Sequence, residues 1–498
     1  MANARPSSPV DPRLLLALIG AVALVYAAVS ALSTGTGAIH EDMAEAYVWG
    51  SHFELGYYKH PPLWAWMAGG WFEVFPRTAW SFALLCAANV VAGLWGAWML
   101  IGRFAHGDRR LAALVLLLVT PFYGFQAYVF NANAIFISLW PWTAYAFVRA
   151  MDERRVAPSL IFGAMAAACM LSKYYALVLL LALAPAAIAH PKAKAYFTSL
   201  SPWISVAAGA LLVAPHAWWL AQSGFLPFHY FGDESGHDAG FSVATAAKLF
   251  AGDIALLGGA IAMVLIAARR RLAATPARLK TRLADPRFRV MAILAILPFL
   301  LTLVFGLVFR LKLSTNWTIA VFPLAPLLLI DVFDPPDDRR LALWAASLGV
   351  LLAAAALVAA PFAPALSTAS KAVQPRREAV AAAVAFWRAQ TPAPLLVVGG
   401  DETYGDAAGF YAPGRPAVFI RFDPAISPWV DVANLPRIGL LALCPANDAR
   451  CLAGAWRYRT PQTRWTRLVL PSHEKARAAT AAGYAFIVAA TPPGPPGQ

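Results

Sequence analysis

LLLALIGAVALVYAAVSAL (14–32) is followed seven residues later by HEDMAEAYVWGSHFELGYYKHPPLWAW (40–66). The first segment is uncharged and close to the roughly 20 apolar residues that cross a bilayer as a helix. It is longer than a signal-peptide core and lacks a small-x-small cleavage pattern, so it reads as a retained anchor. The second segment sets Glu41, Asp42, Glu45, Lys59 and His60 among aromatic residues. A charged, aromatic loop directly after a membrane anchor suits a site that handles a charged substrate carrying an apolar tail.

Composition extends that reading to most of the chain. Of 498 residues, 60% are hydrophobic and 13% charged, against about a quarter charged in soluble domains. Apolar runs near 14–32, 80–101, 111–129, 134–148, 157–171, 176–189, 201–220, 248–268, 290–309, 318–333 and 341–363 predict a polytopic α-helical membrane protein with about eleven transmembrane helices. The formal net charge of +14 does not mark a nucleic-acid groove, because the basic residues fall in short clusters between these runs. With the amino terminus inside, the inside loops hold Arg103, Arg109, Arg110, Arg149, Arg154, Arg155, Lys192, Lys194, eight basic residues between Arg269 and Arg289, and Arg339 and Arg340. The outside loops hold Lys59, Arg77, Lys173, Arg310 and Lys312. This bias orients the chain amino terminus in and carboxyl terminus out. It also singles out the five outside cations, which are retained against the trend.

Past residue 364 the pattern changes. Short apolar runs LLVVGG (395–400), AVFIRF (417–422), IGLLALC (438–444) and YAFIVAA (484–490) alternate with helical stretches such as REAVAAAVAFWRAQ (377–390). They predict a small α/β domain over 365–490, outside the membrane by the topology above. The boundaries are thus 1–364 for the membrane domain, with its first outside loop at 33–79, and 491–498 (TPPGPPGQ) for a disordered tail. Cys86 and Cys169 fall in spans; Cys444 and Cys451, in CPANDARC, are placed for a local disulfide in an oxidising compartment.

Asp42 and Glu45 stand i, i+3, on one face of a helix. A carboxylate there can take the proton of an acceptor hydroxyl; the same spacing also fits a capping box. Lys59 and His60 precede Pro61-Pro62, which hold the backbone extended, and a cation there would stabilise charge on a leaving phosphate. Lys173, in LSKYY, and Arg310 and Lys312, in FRLKLSTNW, lie at outer span ends and could join them on one lipid phosphate. The alternative for these cations is snorkelling to lipid headgroups, with Trp317 as an interfacial anchor. Asn131 and Asn133, in FNANA, can orient a sugar hydroxyl but not act as a base. FGDESGHDAGF (231–241) reads either as a lid or as a solvated loop, and its Asp233, Glu234, His237 and Asp238 as weak candidate ligands for a divalent cation. Neither a P-loop nor a D-x-D motif is present, so the donor is read as membrane-borne rather than a soluble nucleotide sugar. Nucleic acid is not among the expected partners.

The loop resembles the first extracytoplasmic loop of the family 39 glycosyltransferases, relatives of the protein O-mannosyltransferases and lipid A aminoarabinose transferases in the C-type superfamily. Tyr57-Tyr58-Lys59-His60-Pro61-Pro62-Leu63 matches their YY-x-HPPL segment, and Ser172-Lys173-Tyr174 their SKY segment. Glu45 aligns with the family's Glu; its Asp position is Ala44 here, with Asp42 nearest. Lys59 stands where an acidic residue is more common, Thr318 where a proline follows Trp, and Asn131 and Asn133 where many relatives carry an Asp. The resemblance implies a C-type glycosyltransferase fold and an inverting transfer from a polyprenyl-phosphate sugar to a glycolipid or protein acceptor in the bacterial envelope. Asp42 and Glu45 become candidate bases, Lys59, His60, Lys173, Arg310 and Lys312 donor-phosphate ligands, and Tyr57, Tyr58, Asn131 and Asn133 sugar or acceptor ligands. A lipid or sugar transporter is the rival reading, for which inverted repeats and broken helices are expected; a non-catalytic membrane scaffold is another.

Overall fold

The computed structural model describes residues 12–33, 39–121, 123, 128–237, 243–311, 315–318, 321–362, 376–470 and 483–490. The chain forms two compact units from interleaved stretches. One comprises the described residues within Met1–Ala28, Leu55–Trp64 and Ala83–Leu357, the other those within Val29–Glu54, Ala65–Phe82 and Val358–Gln498.

Each of the eleven apolar runs contains a helix. Among the described residues, five helices are long and apolar enough to cross a membrane by length and composition: Ala79–Ile101, Ser201–Gln222, Val243–Ala268, Pro286–Phe309 and Asp338–Phe362. Their hydrophobicity runs all round the helix, as a lipid or protein interior on every side requires. The ends follow local rules. Pro286 opens its helix at a position whose N–H has no helical partner, the Asp285 carboxylate accepts from the Arg287 N–H at 2.9 Å, and Arg310, at φ 52°, closes it in the left-handed region. Helices Val156–Met170 and Ser201–Gln222 pack closely. A Cβ at Gly163 would collide with the Ser205 carbonyl, and Ser205 Oγ donates to Ser159 O at 2.9 Å, the small-residue contact that drives helix association in membranes.

One end of this first unit is stapled by ions. Arg109 donates to Asp331 (3.0 Å), Asp334 (2.9 Å) and Asp338 (2.9 Å). Arg282 reaches Asp331, and Arg271 reaches Asp334 at 2.8 Å. Asp152 collects Arg103 (2.5 Å), Arg287 (3.1 Å) and Lys192 (3.8 Å). These cations come from three of the loops that the charge bias assigns to one side, and those three share carboxylate partners here.

The second unit holds a five-stranded sheet ordered β2-β1-β3-β5-β4, from β1 Val397–Gly400, β2 Ala417–Ile420, β3 Leu440–Pro445, β4 Arg464–Leu470 and β5 Gly483–Ala490. β1 pairs in parallel with β2 and β3, whereas β5 runs antiparallel to β3 and β4. Its core centres on Phe419, Phe422, Leu440 and Ala442. Cys444 and Cys451 form a disulfide there, joining the end of β3 to the helix Ala449–Arg457. Parts of the first loop belong to this unit. Helix Glu41–Gly50 packs on helix Glu402–Tyr411, where Gly409 leaves room for Val48. Arg77 donates to Gly409 O (2.9 Å) and Ala412 O (2.7 Å), capping the end of the second helix. That contact gives a structural role to one of the five cations kept against the charge bias. Lys312, residues 238–242 and the tail 491–498 lie outside the described residues, as do the side chains of Asp233, Glu234 and His237.

Candidate active site

In the first unit, residues far apart in sequence meet around Lys173. Lys173 follows the helix Val156–Met170 and is 9% exposed. Its ammonium donates to Asn133 Oδ1 at 2.6 Å and lies 4.3 Å from the centroid of the Trp317 ring. Tyr175 meets the same indole edge-on at 5.4 Å and hydrogen-bonds Thr302 at 2.5 Å. An amide oxygen and a π-face both favour an ammonium and fix its position.

Lys59 and His60 lie in the extended stretch before Pro61-Pro62. The Lys59 ammonium is 5.2 Å from the Tyr58 ring and 5.6 Å from Tyr230, and those two rings meet edge-on at 5.5 Å. The Tyr57 N–H donates to His60 O at 3.1 Å, and the Leu63 N–H to Leu171 O at 2.7 Å, which ties the stretch to the segment carrying Lys173. Burial, then the charges of Lys173 and Lys59, hold the His60 imidazole well below its usual pKa. His60 is therefore neutral near pH 7 and sits in the positive potential of both lysines, which brings Lys59, His60 and Lys173 together as one electropositive patch.

The other phosphate candidates fare differently. Arg310 is exposed and ends its helix 8 residues beyond Thr302, about 12 Å further along the axis at 1.5 Å per residue. Lys312 is outside the described residues. Tyr57 and Tyr58 are buried, Tyr58 in contact with Tyr230. Asn131 accepts from the N–H groups of Asn133 (2.9 Å) and Ala134 (2.8 Å), an Asx turn. Asn133 supplies the oxygen that holds Lys173.

In the second unit, Asp42 and Glu45 lie on the helix Glu41–Gly50. The cap is His40, whose Nδ1 accepts from the Asp42 N–H at 3.2 Å. Asp42 is thus the second helical residue and not the cap that the capping-box spacing suggested. Its side chain is 36% exposed, whereas Glu45 is buried. Glu41 is engaged by Arg376 at 3.7 Å and by Thr403 Oγ1 at 3.4 Å. Arg376 also donates to Ile39 O at 3.0 Å, fixing the entry to the helix. Sequence reasoning missed Arg376 and Tyr230, whose partners are set by tertiary packing and leave no local pattern. Among the described residues, no group of three or more His, Cys, Asp and Glu is placed to hold a metal ion.

Residues 59–219, which contain the lysine patch, match the family model for dolichyl-phosphate-mannose-protein mannosyltransferases. The chain also superposes on ArnT from Cupriavidus metallidurans bound to undecaprenyl phosphate, with a TM-score of 0.64 and 13% identity over 96% of this chain and 98% of that one. The same protein in its apo state gives a TM-score of 0.59 and 14% identity, with the same coverage.

The chain has the C-type glycosyltransferase fold.

The ArnT-like architecture accounts for both parts of the chain, the apolar helices and the α/β region. No curated protein matches the sequence.

Proposed function

We propose that this chain transfers a sugar from a polyprenyl-phosphate-linked donor to an envelope acceptor, a glycolipid or a protein hydroxyl, at the periplasmic face of a bacterial inner membrane. The observation that carries the proposal is the patch of Lys59, His60 and Lys173, inside the segment that matches the mannosyltransferase model. A lipid phosphate needs a buried or half-buried cation to accept its charge, and Lys173, 9% exposed and close to Lys59 and His60, supports the reading as such a cation.

In the proposed step the acceptor oxygen attacks the anomeric carbon, the bond from that carbon to the phosphate oxygen breaks, and the lipid phosphate leaves with the electron pair. Lys173 and Lys59 stabilise the departing charge, and neutral His60 donates or accepts one hydrogen bond. Attack opposite the leaving group inverts the anomeric centre. The acceptor proton goes to a carboxylate of the helix Glu41–Gly50. Asp42 and Glu45, three residues apart on that helix, are the bases proposed. The orientation rests on the basic loops, several of which share ion pairs at one end of the first unit.

The test is transfer by membranes containing the Asp42→Asn and Glu45→Gln variants and the double variant, each checked for insertion and folding. An amide keeps the shape but cannot take the proton, so the essential position should lose roughly 10²- to 10⁴-fold in rate. Near-normal turnover by the double variant would remove the base from this helix.

A further inference from the structure

Asp253 lies within the helix Val243–Ala268, one of those able to cross a membrane, and is 2% exposed. A carboxylate at such a depth is expensive to bury and is retained for a reason. Its Oδ1 accepts from Thr318 Oγ1 at 2.8 Å, and its Oδ2 meets no hydrogen-bond partner among the described residues. Thr318 ends the one-turn helix Thr315–Thr318, which also carries Trp317, the ring against the Lys173 ammonium.

The residue before Asp253 completes the arrangement. A Cβ on Gly252 would stand 2.9 Å from the Thr315 methyl, tighter than side chains ordinarily pack, so the glycine lets the turn lie close against the helix. Gly252 admits the turn and Asp253 pins its last residue. A four-residue turn has too few internal hydrogen bonds to fix its own position.

We propose that Asp253 is a positioning residue for the donor site: through Thr318 it docks the Thr315–Thr318 turn and holds the Trp317 ring against Lys173. This rests on the reading of Lys173 as a donor-phosphate ligand. The acting element is the hydrogen bond, and either an aspartate or an asparagine oxygen can accept it.

The experiment measures binding of undecaprenyl phosphate and the donor KM and kcat, using the full chain in lipid nanodiscs. Thr318→Val and Asp253→Ala should each weaken lipid-phosphate binding and raise the donor KM by roughly 3- to 30-fold, the scale of a displaced cation–π contact, with kcat little changed. Thr318→Ser and Asp253→Asn, which keep a donor and an acceptor, should stay near wild type. Combined with Trp317→Leu, neither loss should add to that of the tryptophan variant, because both act through the same ring. Unchanged binding in Thr318→Val and Asp253→Ala, or effects fully additive with Trp317→Leu, would overturn the positioning role while leaving the donor site standing. Wild-type protein that binds no undecaprenyl phosphate would overturn the donor site itself, and the positioning role with it.

Discussion

Two groups of cations in the same helical unit differ in what surrounds them. At one end Arg109 spreads its guanidinium across Asp331, Asp334 and Asp338, while Asp152 draws in Arg103, Arg287 and Lys192. At Lys173 the grip comes from an amide oxygen and an indole face, and at Lys59 from two phenol rings. Arginine forks matched to carboxylates join elements and use up charge in doing so. The two lysines are located in part by amide and aromatic groups, and burial first, then their charges, depress the pKa of the neighbouring His60. The helix Val156–Met170 begins four residues after Asp152 and ends three residues before Lys173. The first grouping joins elements of the fold, and the second is the one proposed to meet the donor.

The sharpest way to break this contrast is Arg109→Ala. Asp331 keeps Arg282 and Asp334 keeps Arg271, so the carboxylate deprived of its cation is that of Asp338, 19% exposed on its side chain, and the cost approaches the roughly 3–5 kcal/mol of breaking a buried pair. The expected result is a sharp fall in folded protein and in thermal midpoint, with turnover per folded molecule unchanged. Normal stability with lost transfer would place Arg109 in the chemistry and erase the distinction.

Lys173→Gln should do the reverse. A glutamine can still meet Asn133 but brings no charge, so donor kcat/KM should fall by about 1–3 kcal/mol, the worth of a charge-assisted contact, while the thermal midpoint moves little. A donor titration identical to wild type would return Lys173 to the role of an interfacial anchor.

Much of this was legible before folding. The runs 80–101, 201–220 and 290–309 became the helices Ala79–Ile101, Ser201–Gln222 and Pro286–Phe309, because twenty apolar residues without a breaker have few alternatives. Among the described residues, the runs 111–129 and 318–333 yielded only Gly107–Leu118 and Ala325–Phe333 in helices of any length. Pro121, Pro323 and Pro326 limit them, a restriction that a count of apolar residues overlooks. Strand β4 escaped notice because Arg464 and Arg467 interrupt its apolar residues, as is common on an edge strand. At the site, Lys59 and Lys173 stood out as cations kept against the charge bias. Trp317 was read as an anchor, and the roles of Asp253 and Arg376 depend on contacts 65 and 337 residues away in sequence, which no local period encodes.

The same contrast between located and active charge predicts a smaller effect in the second unit. Burial lowers His52, stacked 4.3 Å from the Trp429 ring, from 6.5 to about 4. Burial raises Asp401, which caps the helix Glu402–Tyr411, from 3.8 to about 6. Between pH 4 and 6 the unfolded chain binds more proton at His52 than the folded chain does, so this group's contribution to stability is lost as pH falls. At Asp401 the folded chain binds more, so its contribution is lost as pH rises. Each slope approaches about 1.4 kcal/mol per pH unit for a full proton, and the two oppose each other. The wild-type thermal midpoint in detergent should therefore stay nearly flat from pH 4 to 6 with respect to these two groups. His52→Gln should tilt it toward greater stability at the acid end. Asp401→Asn, which keeps a capping oxygen, should tilt it toward greater stability at the neutral end. Parallel tilts in the two variants would mean that neither group titrates as its burial requires.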